Sequence, residues 1–187
     1  MKAFQHSIRS HARIAGLVVF AVVLAVSAQG AIAIDKARFD YQGASGVCQP
    51  SLPQYEPNLK SRPLGLANAG PELSFVTCAL QGSDPTGQRG AYQVQVNVTN
   101  NDTVAKFIRC TLVVVYRLSG ETVDKTAYIP RTVTVIGGGG SFISWVPTDI
   151  TGAFGGPEIS KAGISCALPA KTTLQYTGTY YREDVGA

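Results

Sequence analysis

Three cysteines of this chain share the parity of the apolar residues in stretches of alternating character, and no other sequence feature restricts the fold as much. Cys110 is in phase with Ile108, Leu112, Val114 and Tyr116, Cys166 with Ala162, Ile164 and Leu168, and Cys78 with Val76 and Leu80. Successive side chains of a strand point to opposite faces, so residues of one parity line one face. These cysteines therefore belong to buried strand faces, where a bridge can staple neighbouring or facing strands. Cys48 brings the number to four, and an even number in an exported chain reads as two disulfides. Three pairings are open, and Cys48–Cys78 with Cys110–Cys166 is favoured. Cys48 precedes the first core strand and Cys78 closes it, while Cys110 and Cys166 both face the core. The spacing lacks the close Cys pairs of zinc sites.

The rest of the chain repeats the alternation. Residues 92–99 (YQVQVNVT) set Tyr92, Val94, Val96 and Val98 against Gln93, Gln95, Asn97 and Thr99, a strand with one wet face. Asn100, Asn101 and Asp102 supply a turn. Residues 106–117 then return as a strand apolar on both faces, which is expected to be central. Further strands are expected at 73–80, 122–128, 131–136, 141–146, 159–168 and 172–182. The glycine run 137–140 lies between strand-like stretches with no lysine near, so it reads as a flexible hairpin loop and not as a phosphate cradle. No convincing amphipathic helix occurs. The fold class is all-β, an antiparallel β-sandwich (Ig-like or jelly-roll-like) of about 7–9 strands with two disulfides. Residues 34–187 form its single domain, with segment 42–64 running irregularly.

Residues 1–13 are polar and basic, residues 14–26 (IAGLVVFAVVLAV) are uncharged and apolar, and Val26-Ser27-Ala28 and Ala31-Ile32-Ala33 follow as small-residue sites. That order is a secretory signal peptide, here residues 1–33. The apolar run is too short to span a bilayer, so the mature chain is expected to be secreted or periplasmic, with no stable membrane insertion. Cleavage removes Lys2, Arg9 and Arg13 from the sixteen basic residues, leaving thirteen against twelve acidic. A nearly neutral chain argues against nucleic acid as a partner.

Cleavage also removes His6 and His11, the only two histidines. Acid–base catalysis, nucleophile activation and most metal sites lean on that side chain. Gly163-Ile164-Ser165-Cys166-Ala167 imitates a nucleophile elbow, but Ser165 falls inside an expected strand and not on a strand-to-helix turn. The carboxylates lie mostly in turns and at strand ends, as solvated surface charge does. The chain is therefore expected to be no enzyme, with no cofactor and no metal. What remains is aromatic. Trp145, Tyr176 and Tyr180 are the candidate ligand platform, with Tyr176 and Tyr180 on one strand face, for a glycan or protein partner. The competing and favoured assignment puts Trp145 in the core and the tyrosines along a sheet face.

A resemblance follows from a series of markers: Gly46-Val47-Cys48-Gln49-Pro50, Gly65-Leu66-Ala67-Asn68 before Val76-Thr77-Cys78, Ile108-Arg109-Cys110, Ile164-Ser165-Cys166-Ala167-Leu168-Pro169 and Leu174-Gln175-Tyr176. From Cys48 to about Glu183 the chain resembles a loose group of uncharacterised secreted bacterial proteins. The resemblance implies export and a disulfide-stapled β-fold, and no biochemical activity. The functional expectation is an exported non-catalytic protein with a binding or structural role at the cell envelope or outside the cell. The alternatives are a secreted carbohydrate-binding module and a fimbrial or adhesin-type subunit.

Overall fold

The structure is a computed structural model that describes residues 34–80, 90–116, 118, 120–152, 159 and 161–186. The expected signal peptide and its two cleavage sites lie outside the described residues. Asp35–Glu183 is one compact unit. Outside it, Val185 N–H donates to the Ile34 carbonyl at 3.1 Å.

Two antiparallel sheets enclose the core. One holds five strands in the order β2 (Cys48–Pro50), β5 (Ser74–Ala79), β10 (Lys161–Leu168), β7 (Lys106–Tyr116) and β8 (Lys125–Val135). The other runs β3 (Leu59–Arg62), β4 (Gly65–Asn68), β11 (Thr172–Asp184), β6 (Ala91–Asn100) and β9 (Gly140–Trp145), with β1 (Asp35–Gly43) also paired to β11. The only helices among the described residues are single turns, α1 (Ala44–Val47), α2 (Thr148–Thr151) and a 3₁₀ turn at Pro53–Tyr55. Consecutive strands mostly change sheet, and only β3–β4 and β7–β8 are hairpins within one sheet.

Alternation produced the core as expected. Val94, Val96 and Val98 of β6, Ile108, Leu112 and Val114 of β7, and Ile164 and Leu168 of β10 are all fully buried. Both disulfides form, Cys48–Cys78 and Cys110–Cys166. Each joins residues directly opposite in adjacent strands, with Cα atoms 3.9 and 4.0 Å apart. Both bridges therefore lie within the five-stranded sheet, on its inner face, and neither ties one sheet to the other.

Buried asparagines supply that tie. Asn68, ending β4, donates through Nδ2 to the carbonyls of Glu72 and Leu168, both at 2.7 Å, and its Oδ1 accepts from Gly70 N–H at 3.0 Å. Asn100, ending β6, repeats the pattern on Val104 (2.7 Å), Val135 (3.0 Å) and Asp102 N–H (3.0 Å). Each asparagine begins a connection from the six-stranded to the five-stranded sheet, and each clasps the end of a strand in that second sheet. A buried amide donor or acceptor without a partner is costly, and here both carboxamides are satisfied by loop and strand together.

Several expectations need correction. The glycine run is a crossing between sheets, not a hairpin loop. Gly138 (φ +70°) donates to Asp102, and a Cβ on Gly137 would come within 2.3 Å of the Thr103 carbonyl. The segment 42–64 is not irregular throughout, because β2 and β3 add to one sheet each. The stretches 122–128 and 131–136 are one strand running through Pro130, which an edge strand tolerates because it needs no donor on the solvent side.

Candidate functional site

The outer face of β6 carries Gln93, Gln95, Asn97 and Thr99, the polar set of the alternating stretch. Alternation alone predicts that this face is wet. Instead Gln95 and Asn97 are buried, at 7% and 8% exposure, because aromatic side chains from the flanking strands roof them. The pairing places Tyr176 of β11 and Phe142 of β9 on either side of Asn97, with Tyr180 beside Gln93 and Gly178 beside Gln95.

Two irregularities build this roof. Leu174 pairs with Val98 but Tyr176 with Asn97, so Gln175 is an extra residue in β11. A bulge of this kind resets which side chains face out. Leu174 is buried inward, yet Tyr176 and Tyr180, of equal parity, lie outward, while Thr177 and Thr179 go in. At the other end Tyr180 pairs with Gln93 and Tyr181 with Ala91, which leaves Tyr92 as the extra residue in β6. Tyr92 was expected to share the apolar face of Val94. It stands out instead, its ring 6.2 Å from that of Tyr180 and the Arg182 guanidinium 6.0 Å above it.

β1 completes the face with Phe39 and Tyr41. Tyr41 meets Tyr176 edge-on at 5.2 Å and Tyr180 edge-on at 6.1 Å, and Phe39 lies 5.4 Å from Tyr41. Phe142 reaches Tyr176 at 6.3 Å. Six rings thus form one connected network in tilted and edge-on contacts, which aromatic pairs favour over sandwiches. The Tyr41 ring rests on Gly178, where a Cβ would come within 2.8 Å of two ring carbons. Phe39, Phe142 and Tyr41 remain 66%, 55% and 47% exposed, so the network is a surface and not a buried core.

Polar groups thread the rings. The Tyr41 and Tyr180 hydroxyls are 2.5 Å apart, and Gln95 Nε2 donates to the Tyr180 oxygen at 3.2 Å. The hydrogen bond to Tyr41 and burial push the Tyr180 phenol above its usual pKa, and burial does the same for Tyr176. Both stay neutral hydroxyls at physiological pH. Asn97 Oδ1, covered by Phe142 and Tyr176, has no hydrogen-bond partner. The rim charges pair off, Arg38 with Glu183 at 2.7 Å and Arg182 with Asp35 at 3.0 Å.

The structure brings together only part of the platform expected from sequence. Tyr176 and Tyr180 lie on this face. Trp145 does not, because it is fully buried and donates its indole N–H to the Ile129 carbonyl at 2.9 Å. Phe39, Tyr41, Tyr92 and Phe142 were missed. Phe39 and Tyr41 could have been noticed as an alternating aromatic pair, whereas strict parity placed Tyr92 inside. Ser165 sits within β10, as expected. Carboxylates elsewhere serve structure: Asp149 accepts from Val146 N–H at 2.8 Å and from Arg131 at 2.6 Å, and Asp102 is held by Thr103 N–H and Lys106. Among the described residues no group of three His, Cys, Asp or Glu side chains could hold a metal ion, and no helix is long and apolar enough to cross a membrane. The last strand, β11, is paired on both sides within its sheet, unlike the exchangeable edge that strand-donating subunits need.

No family model matches the chain, and no curated protein matches it. Solved structures similar to it include a family 61 carbohydrate-binding module in complex with β-1,4-galactotriose, 13% identical over 77% of this chain and 86% of that one, with a TM-score of 0.34. A family 28 carbohydrate-binding module specific for non-crystalline cellulose is 13% identical over 76% and 83%, with a TM-score of 0.35. The CBM22-1–GH10 modules of Clostridium thermocellum endo-1,4-β-D-xylanase 10B, complexed with xylohexaose, are 16% identical over 78% of this chain and 25% of that one, with a TM-score of 0.29.

Proposed function

We propose that this is an exported, non-catalytic binding protein that takes a glycan chain on the outer face of its six-stranded sheet. The observation that carries the reading is the exposed network of six aromatic rings interleaved with neutral amides and phenols. Sugars present apolar C–H faces rimmed by hydroxyls, so a complementary surface supplies ring faces together with uncharged donors and acceptors. The phenols of Tyr176 and Tyr180 stay protonated and can donate. The four bridged cysteines support an oxidising compartment, and the lack of histidine after His11 supports a role without catalysis. A glycan array followed by calorimetry on the best binder tests the proposal. Tyr176→Ala should weaken binding by about tenfold or more without altering the sole tryptophan's fluorescence. Failure of the wild-type chain to bind any glycan on the array overturns it.

A further inference from the structure

The aromatic face does not end at Tyr176. Beyond Gln175 it runs into an open cleft of about 400 Å³, lined by Arg62, Thr99, Asn101, Lys171, Thr173 and Gln175. The two regions share one sheet surface, because Thr99 is two residues from Asn97 on β6 and Gln175 adjoins Tyr176 on β11. The character of the surface changes there. The aromatic part is neutral with its rim charges paired. The cleft is cationic, lined by Arg62 and Lys171; β3 pairs Lys60 with Ala67 and Arg62 with Gly65, which puts Arg62, and Lys60 beside the lining, on the outward phase opposite to the inward Leu66. Among the described residues Arg62 and Lys60 form no ion pair. Asp102, at this end, is already engaged by Thr103 N–H, by Lys106 at 3.1 Å and by Lys171 at 3.5 Å. Asn101 Nδ2 donates to Thr173 Oγ1 at 3.0 Å on the cleft floor, leaving that hydroxyl able to donate in turn.

A surface that sets ring faces beside unpaired cations fits a ligand with both sugar C–H faces and negative charge. Resting on the glycan reading above, the geometry points to an acidic oligosaccharide, its sugar rings on the aromatic network and a carboxylate or sulfate group in the Arg62 cleft. The surface from Thr173 to Tyr180 is about 20 Å long at strand rise, the reach of a short oligosaccharide. Arg62 suits either anion, since a guanidinium forks onto two oxygens of a carboxylate or a sulfate.

The test uses paired ligands of which only one member is charged: oligogalacturonate beside its methyl ester, and a sulfated galactan oligosaccharide beside its neutral desulfated form, within an array of neutral glycans. The chain should bind the charged member of at least one pair about tenfold more tightly at low salt, and the preference should fall as salt rises. Which pair shows it distinguishes carboxylate from sulfate. Arg62→Gln should remove the preference while leaving affinity for the uncharged or unsulfated member unchanged, and Arg62→Lys should retain it. Tyr41→Ala should weaken both members alike. Equal binding of charged and uncharged members, or a preference that survives the Lys60→Gln, Arg62→Gln double variant, overturns the acidic-glycan assignment while leaving the aromatic platform standing. Binding to nothing on the array overturns both.

Discussion

The two sheets of this sandwich solve different problems with similar strands. The five-stranded sheet puts its specialised chemistry inside: both disulfides cross between paired neighbours on its inner face, amid Val76, Ile164 and Leu112. The six-stranded sheet has no covalent link and puts its special residues outside, as an aromatic network over buried amides. One sheet carries the covalent links, and the other carries the aromatic surface on which the proposed binding rests. Loops at one end of the sandwich join them through the clasps of Asn68 and Asn100.

That contrast can be attacked where it should matter most. The Cys110→Ala, Cys166→Ala variant should lose about 4–5 kcal/mol, since it opens a loop of 56 residues and leaves a cavity among fully buried neighbours. The Cys48→Ala, Cys78→Ala variant should lose less, because Cys48 is only partly buried and the loop spans 30 residues. Urea unfolding followed by Trp145 fluorescence measures both, and the reverse order would contradict the core placement of the second bridge. Next come the clasps. Asn68→Ala and Asn100→Ala should each cost about 3 kcal/mol, because each strands two carbonyls and one N–H. Near-equality of the two losses in the same assay would show that the clasps are equivalent.

Gly178→Ala sharpens the other side of the comparison. Its new methyl group must displace the exposed Tyr41 ring, so glycan affinity should fall several-fold while stability changes by about 1 kcal/mol or less. A large loss of stability with unchanged affinity would mean that the rings serve only as packing. The smallest effects are those of pH. Asp102 is held at about 2, below its ordinary 3.8, first by the Thr103 N–H and then by Lys106. A depressed folded-state pKa gives stability that is present above 3.8 and lost as pH falls from 3.8 towards 2. Asp102→Asn should flatten that stretch of the pH–stability curve. Tyr176 and Tyr180 act in the opposite direction, because their raised pKa makes stability fall as pH climbs past 10.

Much of the five-stranded sheet was legible in the sequence, because β5, β7 and β10 run for 6, 11 and 8 residues, long enough for an apolar face to register, and carry their cysteines in phase with it. Phase put Cys78, Cys110 and Cys166 inside, and the position of Cys48 just before the first core strand favoured the pairing that forms. The strands β1 to β4 were not legible. β2 has three residues, one of them proline, and β3 and β4 have four each, too few for a period to register. Asn100 was read as a turn former, and nothing local to it announces that its partner is Val135, 35 residues away. The site was half legible. Tyr176 and Tyr180 stood out by composition, and so did Trp145, a platform candidate whose favoured placement in the core is where it lies. Tyr92 was lost to a parity rule that its own bulge breaks.

The extra residue Gln175 has a consequence for how such a surface could arise or vanish. In a strand, odd and even positions are two separate messages written on opposite sides, and a single added or removed residue swaps them downstream. With Gln175 kept in step and no bulge, Tyr176 and Tyr180 would share the inward side of Leu174 and Thr177 and Thr179 would turn to solvent; deleting Gln175 instead leaves Tyr176 opposite Asn97 and facing out. No amino acid type would differ between the two arrangements. Whether this strand keeps its tyrosines inside the sandwich or sets them on its surface is then a matter of counting, decided by one glutamine left out of the pairing.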